Sequence, residues 1–441
     1  MSSDEGKRSF LDTLQEFSIP LLAGVVAALV WANVDAHGYH AAMHWSPLGE
    51  GSHLNLHFLA NEIVMVFFFG LAAKEITEAC LPGGALNPPR KAVNPLMGTL
   101  GGVLGPIGVF FLMTVLLDAP EVRRGWGVPT ATDIALAWLV ARLVFGARHP
   151  AVSFLLLLAV ADDAIGLGII AVFYPDPQNP VALPWLGLVA VAMAIAYGLK
   201  KRGVNPFWPY LVVAGVISWV GLFFAHLHPA LALVPIVPFM PNRGADEGMF
   251  AETGKGYRDT LNRFEHALKR PVDFALFAFG LANAGVPFAS VGAATWSVLV
   301  ALVVGKTLGV TAFSMVAHAL GFSLPQGMRV RALVTAGLIA GMGLTVALFV
   351  SGVAFVDPTL QGAAKMGALL SSVAAPLALV LGKLLGVNRK EKGAPGEPEP
   401  VINPSGHISL RGQQEPPPET EMDLGGDDDL DLEVGPSKGG T

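Results

Sequence analysis

Stretches of about 20 apolar residues, the length a helix needs to cross a bilayer, recur from end to end of the first 390 residues. Few architectures tolerate that pattern. Over 441 residues the chain is 53% hydrophobic and only 14% charged, with a mean hydropathy of +0.55, whereas a soluble globular chain carries about 25% charged residues. The missing charge is missing from the long runs themselves. A large soluble protein with a few buried helices does not produce that distribution, and a helical bundle embedded in a lipid bilayer does.

Twelve candidate spans follow: 17–34, 57–79, 94–116, 127–141, 150–174, 182–199, 209–225, 228–241, 271–287, 291–318, 331–354 and 362–386. The fourth and eighth are short, but the basic residues support them. Numbering loops from the N-terminus, one side of the membrane collects twenty Lys and Arg and the other only Arg123 and Arg124. Basic loops favour the cytoplasm, so both termini are predicted to be cytoplasmic. The polar start, residues 1–16, leads into Phe17–Val34 with no clear cleavage site, and that run is read as a retained first span. Residues 17–388 make the membrane domain. Beyond it, Glu391–Thr441 holds twelve acids and three bases, a net of −9 against −6 for the whole chain. Residues 389–441 are read as a disordered acidic cytoplasmic tail.

Several chemistries are excluded. A single cysteine, Cys80, allows neither an internal disulfide nor a cysteine metal cluster. There is no Walker A loop, no dinucleotide fingerprint following a strand, no basic patch for nucleic acid and no large soluble domain to couple ATP hydrolysis. Five histidines at 37, 40, 44, 53 and 57 match no tight ligand set and read as solvated. The chain is therefore not expected to be an enzyme or to hold a cofactor, and any work it does draws on an ion gradient.

Charged residues inside the spans carry the functional reading. Asp162 and Asp163 sit at the middle of the fifth span, in FLLLLAVADDAIGLGIIAVFY. A charge at that depth costs several kcal/mol, and two adjacent carboxylates need water, a cation or a basic side chain. Neighbours on a helix point about 100° apart, so one can line a cavity while the other turns to another helix. Lys306, at mid-depth in the tenth span, is the natural partner of that pair. The fourth span, GWGVPTATDIALAWLV, is strained by Pro129, and the eleventh, VTAGLIAGMGLTVALFV, carries Gly337, Gly341 and Gly343. Both are candidates for broken helices, tolerated in a membrane only where protein or water surrounds them. At the first break, Asp133 can offset the positive end of a half-helix and Thr132 can offer an oxygen. Glu62, nearer a helix end, fits an entrance funnel or a snorkelling side chain. Lys74 and Glu75 read as a local pair, Asp273 as a helix cap and Lys365 as snorkelling. A secondary transporter fits this set, either an ion antiporter or an ion-coupled carrier of another solute. A non-transporting channel or scaffold stays open, although buried Asp–Asp–Lys chemistry argues against a scaffold.

The segments GWGVPTATDIALA, LAVADDAIG, RFEHALKRPVDFALFAFGLANAGV and VVGKTLGV together resemble the NhaA-type sodium/proton antiporters of bacterial inner membranes, over about residues 12 to 388. The resemblance implies an all-α membrane protein of twelve transmembrane helices, with two inverted three-helix repeats in which the broken fourth and eleventh helices cross at mid-membrane. It implies extrusion of Na+ or Li+ against entering protons, electrogenically with more than one proton per cation, without an ATP-hydrolysing subunit and often as a homodimer. It assigns cation and proton binding to Asp162 and Asp163, pairing with Asp162 to Lys306, and compensation of the helix ends to Asp133 and Thr132. The chain departs from the family's GLEVKRE stretch, which reads GLAAKEI here. Ala72 and Ile76 replace acids and Glu75 stands where an arginine is usual, which predicts a weaker or shifted pH response. HATLAG appears as HPALALV from His228, and GIGFT as GMGLT.

Overall fold

The computed structural model describes residues 19–47, 49, 54–82, 84, 86, 89–146, 149–175, 179–242 and 259–387, with the backbone of 400–402 and 408–410. Residues 1–389 form one unit and 390–441 a second. In the first unit the main helices are α1 (Ile19–Val34), α2 (Ala36–His44), α3 (Leu56–Cys80), α4 (Pro89–Leu116), α5 (Ile134–Phe145), α6 (Pro150–Phe173), α7 (Leu183–Lys201), α8 (Tyr210–Phe224), α9 (Thr260–Asn283), α10 (Ala293–Ala319), α11 (Val330–Ala340), α12 (Thr345–Ala354) and α13 (Pro358–Leu384). In the second unit two three-residue strands, β1 (Pro400–Ile402) and β2 (Ile408–Leu410), pair antiparallel with Pro400 opposite Leu410. The rest of the acidic tail, and residues 1–18, lie outside the described residues.

Among the described residues, six helices are long and apolar enough to cross a membrane, and eight spans result if each of two bent pairs counts as one. Large apolar side chains such as Leu112, Val172, Val212 and Leu308 face outward, while Asp162, Lys306, Thr335 and Ser351 are buried. In water that outer surface would be an extended sticky patch; against lipid it is the expected exterior.

The bent pairs matter most. An irregular 3-10 helix, Pro120–Thr130, meets α5 at 63°, and α11 meets α12 at 48°. At the first break Ala131 and Asp133 are extended (ψ 155° and 103°) and Pro129 closes the 3-10 run. Tyr174, just past α6, ties that run down. Its hydroxyl accepts from Gly127 N (2.7 Å) and donates to the Arg124 carbonyl (2.9 Å).

α4 and α10 pack backbone to backbone through Gly101 and Gly105 on one and Gly305 and Gly309 on the other. A Cβ on Gly309 would lie 2.0 Å from the Gly101 carbonyl oxygen, the close approach that small residues four apart permit in membranes. A π-turn, Ala301–Gly305, ends at Lys306. Such turns gather at functional positions.

Three sequence expectations change. Residues 228–241 do not form a regular helix. They run as 3-10 turns at Pro229–Leu231 and Val237–Phe239 joined by further turns, because prolines at 229, 235 and 238 withdraw three donors. The segment is nonetheless largely buried, and His228 Nε2 holds it to the Tyr174 carbonyl at 2.6 Å. α9 is continuous from Thr260 through Pro271, capped by Asp259, which accepts from Asn262 N. Asp273 therefore lies inside a helix and caps nothing. Lys365 is 6% exposed and packs inside the bundle, so it does not snorkel.

Candidate functional site

The two breaks meet. Asp133 N donates to the Met342 carbonyl at 2.8 Å, and Thr132 Oγ1 lies 2.9 Å from the Ala340 carbonyl. Gly343 permits the approach, since a Cβ there would sit 3.0 Å from the Ala131 carbonyl oxygen and 2.8 Å from Leu302 Cδ2. Each break exposes N–H groups with partial positive charge and carbonyls with partial negative charge. Asp133 answers two positive ends at once. Its Oδ1 accepts from Leu136 N (3.1 Å) at the start of α5, and its Oδ2 accepts from Thr345 N (3.3 Å) and Thr345 Oγ1 (2.5 Å) at the start of α12.

Lys306 answers a negative end. Its ammonium donates to the Thr130 carbonyl (2.8 Å), where the 3-10 helix ends, and to Asp162 Oδ2 (2.6 Å). Lys306 and Asp162 are both fully buried. Asp162 Oδ2 also lies 2.7 Å from Thr132 Oγ1. The threonine has one proton to share between that carboxylate and the Ala340 carbonyl, so Thr132 couples the buried pair to the crossing. Thr132, Asp133, Asp162 and Lys306 thus come together from three separate stretches of chain.

Asp163 turns another way, as its position one residue on requires. It is 7% exposed and lines a cavity of about 100 Å³ whose wall also includes Thr132, Asp133, Thr345, Glu75 and Asp273. Asp163 Oδ1 and Asp162 Oδ1 are buried oxygens with no hydrogen-bond partner among the described residues. A buried acceptor without a donor is costly, and a proton or a hard cation satisfies it.

Glu62 is not brought into this group. It sits in the π-turn Leu59–Val64 of α3, faces the backbone of Ala230 and keeps Oε2 without a partner among the described residues. The Lys74 pairing proves wider than a local one. Its ammonium contacts Glu75 (3.2 Å), Glu78 (2.6 Å) and Glu265 of α9 (2.5 Å). Sequence reading missed Thr345 and Glu265. Thr345 had a signal, since it follows the glycines of the second break as Thr132 follows Pro129. Glu265 had none, because its partner lies some 190 residues away.

Interrupted helices crossing inside an apolar bundle, with two carboxylates and an ammonium at the crossing, define the architecture of an ion-coupled membrane carrier. A family model described as Na+/H+ antiporter 1 matches residues 8–387. The Na(+)/H(+) antiporter NhaA of Geobacter sulfurreducens is 59% identical over 382 residues, covering 87% of this chain and 99% of that protein. The NhaA proteins of Desulfitobacterium hafniense and a Jannaschia species are 57% and 44% identical, covering 87% and 85% of this chain and 98% and 97% of theirs. The chain belongs to the Na+/H+ antiporter 1 family.

Proposed function

We propose that this protein is a secondary antiporter of a bacterial cell membrane that moves Na+ or Li+ out in exchange for entering protons and thereby sustains pH and sodium homeostasis. Membership of the antiporter family supports the activity. The observation that carries the mechanism is the pair of unpartnered carboxylate oxygens, Asp162 Oδ1 and Asp163 Oδ1, beside the Lys306 ammonium. It carries out no covalent chemistry and needs no resident cofactor.

Asp163 is the principal ligand of the cation. Asp162 shares the site and exchanges Lys306 for the ion. Protons and Na+ compete for the same oxygens, so loading one unloads the other. An empty, fully charged site is the costliest state to carry across the membrane, and competition then becomes exchange. The crossing, tied by Asp133 and Thr132, is where one half of the bundle rocks against the other while the depth of the site stays fixed.

Twelve spans fit this reading. They are the six long helices, the two bent pairs, α1, α8, the charged but continuous α9 and the turn-rich segment 228–241. In that scheme the third to fifth and the tenth to twelfth spans are inverted repeats, and both termini are cytoplasmic because basic residues crowd one side. A homodimer is the assembly we expect.

The test is purified protein in sealed liposomes with a pH-sensitive dye inside. Na+ added outside an acid-loaded vesicle is expected to drive proton efflux, faster when valinomycin and K+ relieve the membrane potential. An absence of Na+-dependent proton movement at matched incorporation would overturn the reading.

A further inference from the structure

Three residues of α9 form a line. Glu265, Lys269 and Asp273 are spaced four apart on one face, which places Asp273 about 12 Å deeper along the helix axis than Glu265. All three line the cavity that ends at Asp163. Lys269 marks its outer end, with 38% of its side chain exposed. The wall carries five carboxylates, Glu75, Asp133, Asp163, Glu265 and Asp273, against one ammonium, Lys269.

Those carboxylates are not equivalent. Asp133 is held by the ends of α5 and α12. Glu75 and Glu265 are tied to Lys74, and Glu265 lies 3.8 Å from Lys269 as well. Asp163 ends the cavity with an oxygen that has no partner among the described residues. Asp273 is half-buried on the same wall, with Lys269 one turn outward on its helix. No described side chain bonds to it. A carboxylate uncommitted to the fold, in a narrow cavity with low-dielectric walls and a buried ligand oxygen at its end, raises the local concentration of cations.

We infer that Asp273 is a positioning residue for Na+, a way-station that draws the cation from the Lys269 end of the cavity towards Asp163. The inference rests on the antiporter reading and adds to it the route on one face and the residue that sets apparent affinity there. Asp273 acts when the cavity is open at the Lys269 end and has no role when the site faces the other way.

Everted membrane vesicles present the basic-loop face, and hence the Lys269 end, to added Na+. In them Asp273→Asn is expected to raise the apparent KM for Na+ about 3- to 10-fold at low ionic strength with kcat unchanged. Asp273→Glu is expected to restore the wild-type KM. In about 0.5 M choline chloride, where the long-range attraction of Na+ to the cavity mouth is screened, the gap between Asn and wild type should narrow. A thermal midpoint equal to wild type shows that the Asn protein is folded. An unchanged KM, a lowered kcat with unchanged KM, or a defect that Glu fails to rescue would each overturn the assignment. Absence of Na+-driven flux in the wild type would overturn the antiporter reading and this inference with it; normal wild-type flux with an unaltered Asp273→Asn KM overturns the inference alone.

Discussion

At the scale of single residues, adjacent positions carry different duties. Asp162 is spoken for by Lys306 and Thr132, and Asp163 faces the cavity. Asp163→Asn keeps the size and loses the charge. It is expected to abolish Na+-driven proton flux while leaving the thermal midpoint in detergent close to wild type, and wild-type exchange at matched expression would rule out the assignment. Lys306→Ala is expected to behave in the opposite order, with stability failing first. It strands a fully buried carboxylate, a change that costs about 3–5 kcal/mol for buried pairs, and a thermal midpoint within experimental error of wild type would show that the pair does not hold the bundle together. The Asp–Asp–Lys set was legible in the sequence because each charge interrupts a long apolar run with no nearby helix end to escape to. Lys365 and Asp273 were misjudged for the converse reason. Each was assumed to lie near a helix end, and both the packing around Lys365 and the early start of α9 at Asp259 are set by contacts the sequence does not display.

At the scale of elements, the protein places irregular backbone where regular helices can brace it. The bend before α5 announced itself through Pro129 and the polar TATD stretch, and the one after α11 through its glycines. What the sequence did not announce is that α4 and α10 act as the brace. Gly101, Gly105, Gly305 and Gly309 bring their backbones into contact, and Lys306 sits between the last two glycines. Gly309→Ala puts a methyl group 2.0 Å from a backbone oxygen, so the helices must part and Lys306 must shift from Asp162. The variant is expected to lose most antiport and to melt lower, by an amount comparable to overpacking elsewhere, about 1–3 kcal/mol. Gly108→Ala, on the partner helix α4 with open space around its Cβ position, should leave both properties unchanged. Equal behaviour of the two variants would mean the close approach is dispensable. The segment 228–241 was read as a span from its apolar composition, and composition cannot tell a helix from a buried run of turns when prolines recur.

At the scale of the whole molecule, exchange depends on competition, and competition has a measurable slope. Two buried carboxylate oxygens lack partners among the described residues and one ammonium is shared between a carboxylate and a carbonyl, so a bound Na+ is expected to displace more than one proton from the Asp162–Asp163–Lys306 set. The sign follows directly. Lowering the pH on the loading side fills the oxygens with protons and raises the apparent KM for Na+; raising the pH empties them and lowers it. If one proton competed, KM would climb at most about tenfold for each unit of falling pH, and two competing protons allow up to about a hundredfold. With pH on the far side clamped, the plot of log KM against pH is therefore expected to reach a slope steeper than −1 at its acidic end. The same measurement on protein truncated after residue 390 is expected to give the same line; a changed slope would show that the tail's acids, 12 against 3 bases, take part in ion binding. A limiting slope of −1 would make the exchange one proton for one cation and electrically silent. A KM independent of pH would separate the proton and sodium sites altogether.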